Sequence, residues 1–336
     1  MKILVLMHKD LVPPENIHED KFDKDEVPWI TEYDVIKALK ELGHKVKACG
    51  VISDLKVIKS AIDEFKPTLI FNLLEEFDGE VIFDQNVVSY LELLRVPYTG
   101  CNPRGLMLAR DKALAKKILL FHRLKTPYFQ VFPKNKKTKK AKHLKYPLIV
   151  KCLTEEASLA IAKASIVQSE EKLKERVQYI NQKIGVDAIV EEFVEGREFY
   201  VGVMGNYKLK TLPVWELKFE KVDRPEKELY SNRAKWNNKY RDRKGIKTEH
   251  AQLDDETVKR INHICKKAYK HLNLNGYARV DLRMNADGEI YIIEVNPNPN
   301  IAREDEFATS ANYEGKKYTD LITDILRLSK SWAKKV

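Results

Sequence analysis

Residues 276–300, GYARVDLRMNADGEIYIIEVNPNPN, contain the signal from which the rest of this sequence can be interpreted. Two segments with strong β propensity, YARVDLRM and EIYIIEV, flank the tetrapeptide NADG at residues 285–288. Such a tetrapeptide between two apolar segments is typical of a tight turn between antiparallel strands. The pattern therefore predicts a β-hairpin that ends in a loop rich in proline and asparagine.

The two faces of this hairpin differ in chemistry, because side chains alternate between the faces of a strand. Strands that pair symmetrically about the turn would place Glu294 opposite Arg279 and Asp281 opposite Ile292. The polar face would carry Arg279, Asp281, Glu294 and Asn296. The apolar face would carry Val280, Leu282, Met284, Tyr291, Ile293 and Val295.

The predicted polar face has the composition of a catalytic site. Carboxylate and carboxamide oxygens are ligands for Mg²⁺, usually together with phosphate oxygens of a nucleotide. A neighbouring guanidinium can stabilise negative charge in a transition state. The alternative is a solvated polar sheet face. The position at a strand end that runs into a loop favours a functional site.

Length and composition restrict the class of protein. A chain of 336 residues can bury a large core and predicts two or three domains. There is no apolar segment long enough for a membrane span, the mean hydropathy is negative, and the first ten residues are typical of a β-strand rather than a signal peptide. The four cysteines are far apart, which disfavours a zinc site and predicts a reducing, cytoplasmic location.

The net charge of +10 favours anionic partners, and much of the excess lies in KNKKTKKAKHLK at residues 134–145. This basic stretch is interpreted as a solvated loop or short helix, with an acid- or RNA-binding patch as the alternative. Because it contains no aromatic residue on which a base could stack, nucleic acid is the disfavoured partner.

The order of elements predicts an α/β beginning. Strands are expected at residues 2–7, 45–52 and 68–74, with helices at 55–65 and near 87–94. Alternating strands and helices predict a parallel sheet covered on both faces. A helix over 110–120 follows, and beyond residue 195 hairpins dominate, with one long helix over 254–272.

Three lysines are candidate functional residues. Lys112 begins the predicted helix at 110–120, Lys151 ends the apolar strand YPLIV, and Lys235 lies in a polar insertion. A lysine is normally an exposed residue, so one at the end of a buried strand places an ammonium group beside a cleft.

Together these segments resemble the ATP-grasp superfamily, and D-alanine–D-alanine ligases in particular. The resemblance rests on DK at 111–112, IVK at 149–151, EEFVEGREF at 191–199, and ARVD followed by IIEVNPNPN. It implies a mixed α/β and α+β chain with the ATP-grasp fold and an N-terminal Rossmann-like (pre-ATP-grasp) domain. The implied divisions are 1–104 for that domain, 105–194 for the central ATP-grasp subdomain and 195–336 for the C-terminal subdomain.

The resemblance implies a role for individual residues. The nucleotide-binding residues would be Lys112, Lys151, Ser158, Glu191, Glu192, Phe193, Val194, Glu198 and Lys235. Among these, Lys112 and Lys151 would contact the phosphates, and Lys235 would reach the terminal phosphate. Glu191, with the backbone of Glu192 and Val194, would line the adenine pocket, and Glu198 would hold the ribose.

On the hairpin, the resemblance implies that Asp281, Glu294 and Asn296 bind two Mg²⁺ ions, with Mn²⁺ as a substitute, and that Arg279 stabilises a tetrahedral intermediate. The implied reaction is ATP-dependent ligation. ATP phosphorylates a carboxylate to an acyl phosphate, and an amine then displaces the phosphate. The partners would be small carboxylate and amine substrates, and the resemblance also implies a homodimer.

Several segments depart from the family pattern on the substrate side. The glycine-rich turn after the first strand is missing, and an acid replaces the histidine that the family has within residues 73–80. Six acids lie near the expected substrate sites: Glu75, Glu76, Glu80, Glu304, Asp305 and Glu306. These acids are either solvated loop residues or part of a site for an amine-bearing substrate. We therefore expect an amino acid or peptide acceptor other than D-alanine.

Three alternatives to a carboxylate–amine ligase stay open at this point. The acyl phosphate could be transferred to a hydroxyl or thiol acceptor. The fold could bind ATP without ligating anything, although Arg279 and all three metal-ligand candidates are present. The chain could also be a basic RNA-binding protein, which predicts strongly salt-dependent binding through residues 134–145.

Overall fold

The structure is a computed structural model that describes residues 1–24, 26–154, 161–313 and 315–333. Ser158, predicted to contact the nucleotide, lies outside the described residues. Among the residues described, no helix combines the length and apolar character needed to cross a lipid bilayer.

The regular elements are numbered along the chain. The strands are β1 (Lys2–His8), β2 (Lys45–Val51), β3 (Leu69–Asn72), β4 (Phe129–Phe132), β5 (Leu148–Cys152), β6 (Ile166–Val167), β7 (Ala188–Glu192), β8 (Arg197–Met204), β9 (Lys210–Thr211), β10 (Trp215–Phe219), β11 (Ile246–His250), β12 (Tyr277–Met284) and β13 (Ile290–Pro297). The helices are α1 (Ile30–Glu41), α2 (Leu55–Phe65), α3 (Asp84–Leu93), α4 (Pro103–Arg110), α5 (Lys112–Phe121), α6 (Glu170–Tyr179), α7 (Asn232–Trp236), α8 (Asn238–Lys244), α9 (Asp255–His271), α10 (Glu306–Tyr313) and α11 (Tyr318–Ala333).

The first sheet is parallel and has the order β2-β1-β3. Its central strand, β1, has an almost continuous run of buried side chains, as expected for a strand covered on both faces. Asp54 begins α2 by accepting a hydrogen bond from the backbone N–H of Lys56, so the predicted limits 55–65 are correct. The predicted parallel α/β beginning is thus confirmed.

The central sheet is antiparallel, with the order β4-β7-β5-β6. Its apolar face packs on α6, whose N-terminus is capped by Ser169. The buried cluster beneath it consists only of side chains from residues 132–190. This sheet therefore has a core of its own.

The third sheet has the order β11-β10-β8-β12-β13, with β9 paired to β8. Its central strand, β8, pairs over its whole length with β12. Strands β12 and β13 form the predicted hairpin. Helix α9 covers one face, with its N-terminus capped by Asp254.

The register predicted for the hairpin is wrong. Arg279 pairs with Asn296, and Asp281 pairs with Glu294 rather than with Ile292. One residue is added at the turn, because Met284 pairs with Ile290. A second is added by a β-bulge between the pairs of Asp281 and Leu282. The two shifts together move the register by two residues, so the four polar side chains still share a face, as predicted.

Because of the same bulge, the predicted apolar face is wrong for two residues of β13. Between the bulge and the turn, Ile290 and Ile292 enter the core. Tyr291 instead pairs with Arg283, and Ile293 lines a cleft on the polar side. The placement of Tyr291 and Ile293 on the apolar face was therefore wrong, because a single inserted residue reverses the faces of the strand beyond it.

A second difference concerns the helix predicted over residues 110–120. The structure has two helices, because α4 ends at Arg110 and Asp111 adopts an extended conformation before α5 begins. The side chain of Asp111 accepts a hydrogen bond from the N–H of Leu114, which is the geometry of an N-cap. Lys112 consequently occupies the first turn of α5.

The first and third sheets share their buried clusters. One cluster joins Leu4 and Leu6 of β1 to Val201 of β8 and Val280 of β12. Another joins the opposite face of β1 to α1, α10 and α11, and α11 packs directly on α1. The division of the chain at residues 104 and 194 stays a prediction.

Candidate active site

A cleft with a cavity volume of about 260 Å³ opens between the central sheet and the third sheet. Pockets for a single small molecule usually measure roughly 300–1,000 Å³, so the volume of this cavity is close to the lower end of that range. Its lining includes every predicted site residue that the structure describes: Lys112, Lys151, Glu191, Glu192, Phe193, Val194, Glu198, Lys235, Arg279, Asp281, Glu294 and Asn296.

The polar end of the β12–β13 hairpin forms one wall of the cleft. Arg279 donates two hydrogen bonds to Asp281, from Nε to Oδ1 at 2.8 Å and from Nη2 to Oδ2 at 3.0 Å. Asn296 Nδ2 donates to Asp281 Oδ2 at 3.0 Å. Because Asp281 and Glu294 are paired across the strands, their side chains lie side by side on the same face.

The two carboxyl groups on this wall have opposite electrostatic environments. Burial raises the pKa of Asp281 to about 6 despite the opposing charge of Arg279, and the charge of Glu294 adds to the increase. Burial would raise the pKa of Glu294 as well, but the ammonium groups of Lys112 and Lys151 lower it to about 2. Glu294 is therefore fully ionised at neutral pH.

The donor set of this wall suits a hard divalent cation shared with phosphates. Among residues 1–24, 26–154, 161–313 and 315–333, there is no group of three His, Cys, Asp or Glu side chains that could hold a metal alone. Two carboxylates and the carboxamide of Asn296 supply only part of a coordination shell. Mg²⁺ is commonly held in this way, by one or two carboxylates with phosphate oxygens and water completing the shell.

Two predicted phosphate-binding lysines each pair with an acid of the cleft wall. Lys112, in the first turn of α5, lies 3.0 Å from Glu294 Oε1. Lys151, at the end of β5, donates to Glu191 Oε2 at 3.0 Å. Both residues are more than nine-tenths buried, so each ammonium group is held by these carboxylates at the cleft wall.

Glu191 is the most deeply buried acid of the cleft, with 1 % of its surface exposed. Burial would raise its pKa, but the charges of Lys116 and Lys151 lower it below the ordinary range of a glutamate. Lys116 Nζ lies 3.3 Å from Glu191 Oε1, on the side opposite Lys151. Glu191 is thus an ionised carboxylate between two buried lysines.

The connection from the central sheet to the third sheet follows Glu191 directly. Phe193 donates its N–H to the carbonyl of Pro147 at 2.9 Å, while the carbonyl of Val194 accepts from Arg283 Nη1 at 2.9 Å. The guanidinium of Arg283 also stacks on the Phe193 ring, 4.7 Å from its centroid. The segment predicted to border the adenine is therefore tied to both sheets.

Glu198 lies on β8 beside this connection. Its Oε2 accepts hydrogen bonds from Arg283 Nε at 3.0 Å and Nη2 at 2.7 Å, and its Oε1 accepts from the hydroxyl of Tyr200 at 2.9 Å. These contacts fix the carboxylate at the cleft surface, where it remains 18 % exposed.

Lys235 lies in α7, so the predicted polar insertion contains two short helices, α7 and α8. It lines the cleft near Asp305 and Glu306, whose carboxyl groups its positive charge favours in the ionised form. Glu306 lies 3.9 Å from Arg279 Nη1. Burial and the charge of Glu306 raise the pKa of Asp305 well above its usual range, whereas the hydrogen bond with Asp305 and the charge of Arg279 lower the pKa of Glu306.

The acids singled out on the substrate side divide into two groups. Glu75, Asp305 and Glu306 line the cleft. Glu76 and Glu304 lie outside the lining, with His8 at 3.6 Å and Lys24 at 3.9 Å as their respective partners. Glu80 is exposed and is not part of the cleft wall either.

Three residues that contribute to the site were not predicted. Arg283 follows Asp281 by two positions on β12, so strand alternation places it on the polar face. Lys116 follows Lys112 by one helical turn on α5. Tyr200, on β8 opposite Asp281, packs under the Arg279 guanidinium at 5.0 Å, and only the pairing of β8 with β12 reveals it.

Comparison with known proteins gives a consistent result. The sequence profile of the D-ala D-ala ligase C-terminus family matches residues 117–327. A D-alanine–D-alanine ligase of Aquifex aeolicus is 31 % identical over 292 residues, which is 87 % of this chain and 92 % of the relative. An uncharacterized protein of Sinorhizobium fredii is 29 % identical over 301 residues, covering 87 % of this chain and 85 % of the relative.

Among solved structures, the D-alanine–D-alanine ligase of Bacillus anthracis complexed with ATP superimposes with a TM-score of 0.76. The match covers 100 % of this chain and 99 % of the other at 22 % identity. This likeness confirms the predicted ATP-grasp fold, and the family match confirms the resemblance found in the sequence.

Proposed function

This chain belongs to the D-alanine–D-alanine ligase family, and we propose that its cleft joins a small carboxylate to an amine, forming ADP and phosphate from ATP. The observation that carries the proposal is that the predicted site residues come together in one cleft. Lysines, acids and an arginine from separate parts of the chain, selected from the sequence alone, line the same cavity.

The proposed reaction has two steps. The substrate carboxylate attacks the γ-phosphorus of ATP and forms an acyl phosphate while ADP leaves. The amine then attacks the acyl carbon, forms a tetrahedral intermediate, loses a proton and expels phosphate. In such reactions positioning and electrostatic stabilisation account for most of the rate enhancement.

The chain's own residues divide these tasks. Lys112, Lys151 and Lys235 all line the cleft and would neutralise the charge of the phosphates. Glu191 would accept from the adenine and Glu198 from the ribose. Each of these carboxylates is held ionised or hydrogen-bonded by neighbouring lysines or Arg283.

Arg279 is proposed to face the tetrahedral intermediate. Its Nε and Nη2 are occupied by Asp281, so the remaining Nη1 edge points toward the acceptor side, where Glu306 lies 3.9 Å away. A guanidinium held in this way needs no reorganisation as negative charge develops on the intermediate.

A divalent metal would be held by Asp281, Glu294 and Asn296, and two Mg²⁺ ions, or Mn²⁺ in their place, are proposed for this wall. When bound, such ions neutralise phosphate charge and align the reacting oxygens. The ionised state of Glu294 at neutral pH supports this assignment, because metal ligands bind in their deprotonated form.

The substrate side supports an acceptor other than D-alanine. Glu75, Asp305 and Glu306 line the cleft beyond Arg279. The acceptor carboxylate of the family falls near Asp305 by the resemblance, and a negative Asp305–Glu306 pair would repel it. An amino acid or peptide that presents an amine to these acids fits this wall better.

The proposal is tested by measuring ADP release with Mg²⁺ and ATP against a panel of L- and D-amino acids and small peptides. The matched blank is Glu294→Ala, which removes a carboxylate shared by the metal wall and Lys112. Turnover that depends on one substrate or pair and is absent in the blank supports the ligase. ADP release that is the same in both proteins would overturn it.

The same panel tests the acceptor. Efficient turnover with D-alanine alone would overturn the substrate proposal while leaving the ligase intact. A hydroxyl or thiol acceptor would give an ester or thioester, which hydroxylamine cleaves whereas an amide resists it. Mass spectrometry of the product distinguishes these outcomes directly.

A further inference from the structure

Lys116 is a buried lysine that the proposed reaction does not use. It lies on α5, has 2 % of its surface exposed, and is not part of the cleft lining. Its Nζ lies 3.3 Å from Glu191 Oε1 and donates a hydrogen bond to the carbonyl of Ile293 at 2.9 Å. One ammonium group therefore touches both the proposed adenine pocket and the strand that carries Glu294.

The contact with Ile293 coincides with the bulge in the hairpin. Leu282 pairs with Ile292 and Asp281 pairs with Glu294, so Ile293 is the inserted residue and has no pairing partner on β12. The extra residue of a bulge is not paired with the neighbouring strand, so its backbone groups need other hydrogen-bond partners. Lys116 supplies that partner, and the bulge is what places Glu294 directly opposite Asp281.

The contact with Glu191 has a second consequence. Lys151 is the other cation on this carboxylate, at 3.0 Å, and it is also a proposed phosphate ligand. When Lys151 engages a phosphate, its hold on Glu191 weakens. Lys116 does not line the cleft, so it stays with the carboxylate, because a buried ionised acid needs a charged partner.

We propose that Lys116 is a positioning residue that couples the nucleotide pocket to the metal wall, holding Glu191 in place and fixing the bulge at Ile293. This inference rests on the proposed function, since it assumes that nucleotide binds beside Glu191. It predicts that loss of Lys116 weakens both ATP binding and the response to Mg²⁺, although Lys116 contacts neither ligand.

The test compares Lys116→Met with Lys117→Met, the adjacent exposed lysine of the same helix. Two quantities are measured: the Kd for ATP without metal, by calorimetry, and the Mg²⁺ concentration for half-maximal ADP release. We expect Lys116→Met to raise the Kd about tenfold and the Mg²⁺ requirement severalfold, while Lys117→Met matches the parent protein. Lys116→Arg, which keeps the charge, should recover most of the ATP affinity.

Equal values for Lys116→Met and Lys117→Met would overturn the inference and leave the proposed function intact. A parent protein that binds no ATP would overturn both. Because Lys116→Met alone leaves Glu191 charged in the core and could prevent folding, a double variant with Glu191→Gln removes both charges. Its Kd should equal that of Glu191→Gln alone, and a further tenfold loss in the double variant would show that Lys116 does not act through Glu191.

Discussion

Replacing Glu32 by glutamine should make the protein more stable, and increasingly so as the pH rises. Glu32 lies in the first turn of α1 with 4 % of its surface exposed, and its Oε2 has no hydrogen-bond partner among the described residues. Burial raises the pKa of Glu32 from an ordinary 4.5 to about 8, and the negative charge of Glu75 adds to the increase. The folded protein thus holds a proton on Glu32 that the unfolded chain releases.

The sign and size follow from proton linkage. A carboxyl with a raised folded pKa contributes stability that is complete below pH 4.5 and is lost as the pH rises through 8. At about 1.4 kcal/mol for each unit, the whole shift corresponds to roughly 5 kcal/mol, of which about 3 to 4 kcal/mol is lost between pH 5 and pH 8. Glutamine has no proton to lose, so Glu32→Gln avoids this loss.

The assay is thermal or urea unfolding of the parent protein and Glu32→Gln at pH 5 and pH 8. We expect the difference in melting temperature to widen by on the order of 5–10 °C at the higher pH. The matched control is Glu41→Gln, which changes an exposed acid on the same helix and should show no such trend. A difference independent of pH, or one that Glu41→Gln reproduces, would refute the reasoning.

Three further predictions address the site and its support. Arg279→Ala should leave the ATP Kd nearly unchanged but lower kcat by on the order of 10²–10³, about 3 to 4 kcal/mol, and near-normal turnover would contradict its role. Gly196→Ala should lower the melting temperature, because Gly196 has φ +146° and an added Cβ would lie 2.0 Å from the carbonyl oxygen of Met284. An unchanged melting temperature would contradict this prediction. Arg110→Met should cost about 3–5 kcal/mol in urea unfolding, since its guanidinium lies 2.5 Å from the buried carboxylate of Asp84, and adding Asp84→Asn should recover part of the loss.

The sequence identified the polar face of the hairpin correctly, although the strand register that it predicted was wrong. The pairing of Arg279 with Glu294 was wrong, yet the polar set stayed together, because the turn and the bulge each shift the register by one residue. Each shift alone would have moved Glu294 to the opposite face. Neither inserted residue can be recognised from the hydrophobic pattern. The pattern indicates which side chains are apolar, but not which residues of the two strands pair with each other.

Other residues could not be placed from the sequence for a different reason. Lys116 has helical spacing from Lys112, but its contacts lie 75 and 177 residues away along the chain, at Glu191 and Ile293. Glu75 was noted as an acid in an unusual place, yet only the packing of the first sheet against the third puts it in the cleft. Local patterns predict strands and helices, whereas such contacts depend on how distant elements assemble.

The packing of α11 on α1 has a consequence for the order in which the protein can fold. One face of β1 is buried by Leu321, Ile322 and Ile325 of α11, more than 300 residues further along the chain. At roughly 5–20 residues per second, a ribosome needs about 15 to 60 s to make that segment after β1 has emerged. During this interval the apolar face of the first sheet has α1 beside it but lacks the cover that α10 and α11 supply. The face of the first sheet is therefore fully buried only after α11 has been made.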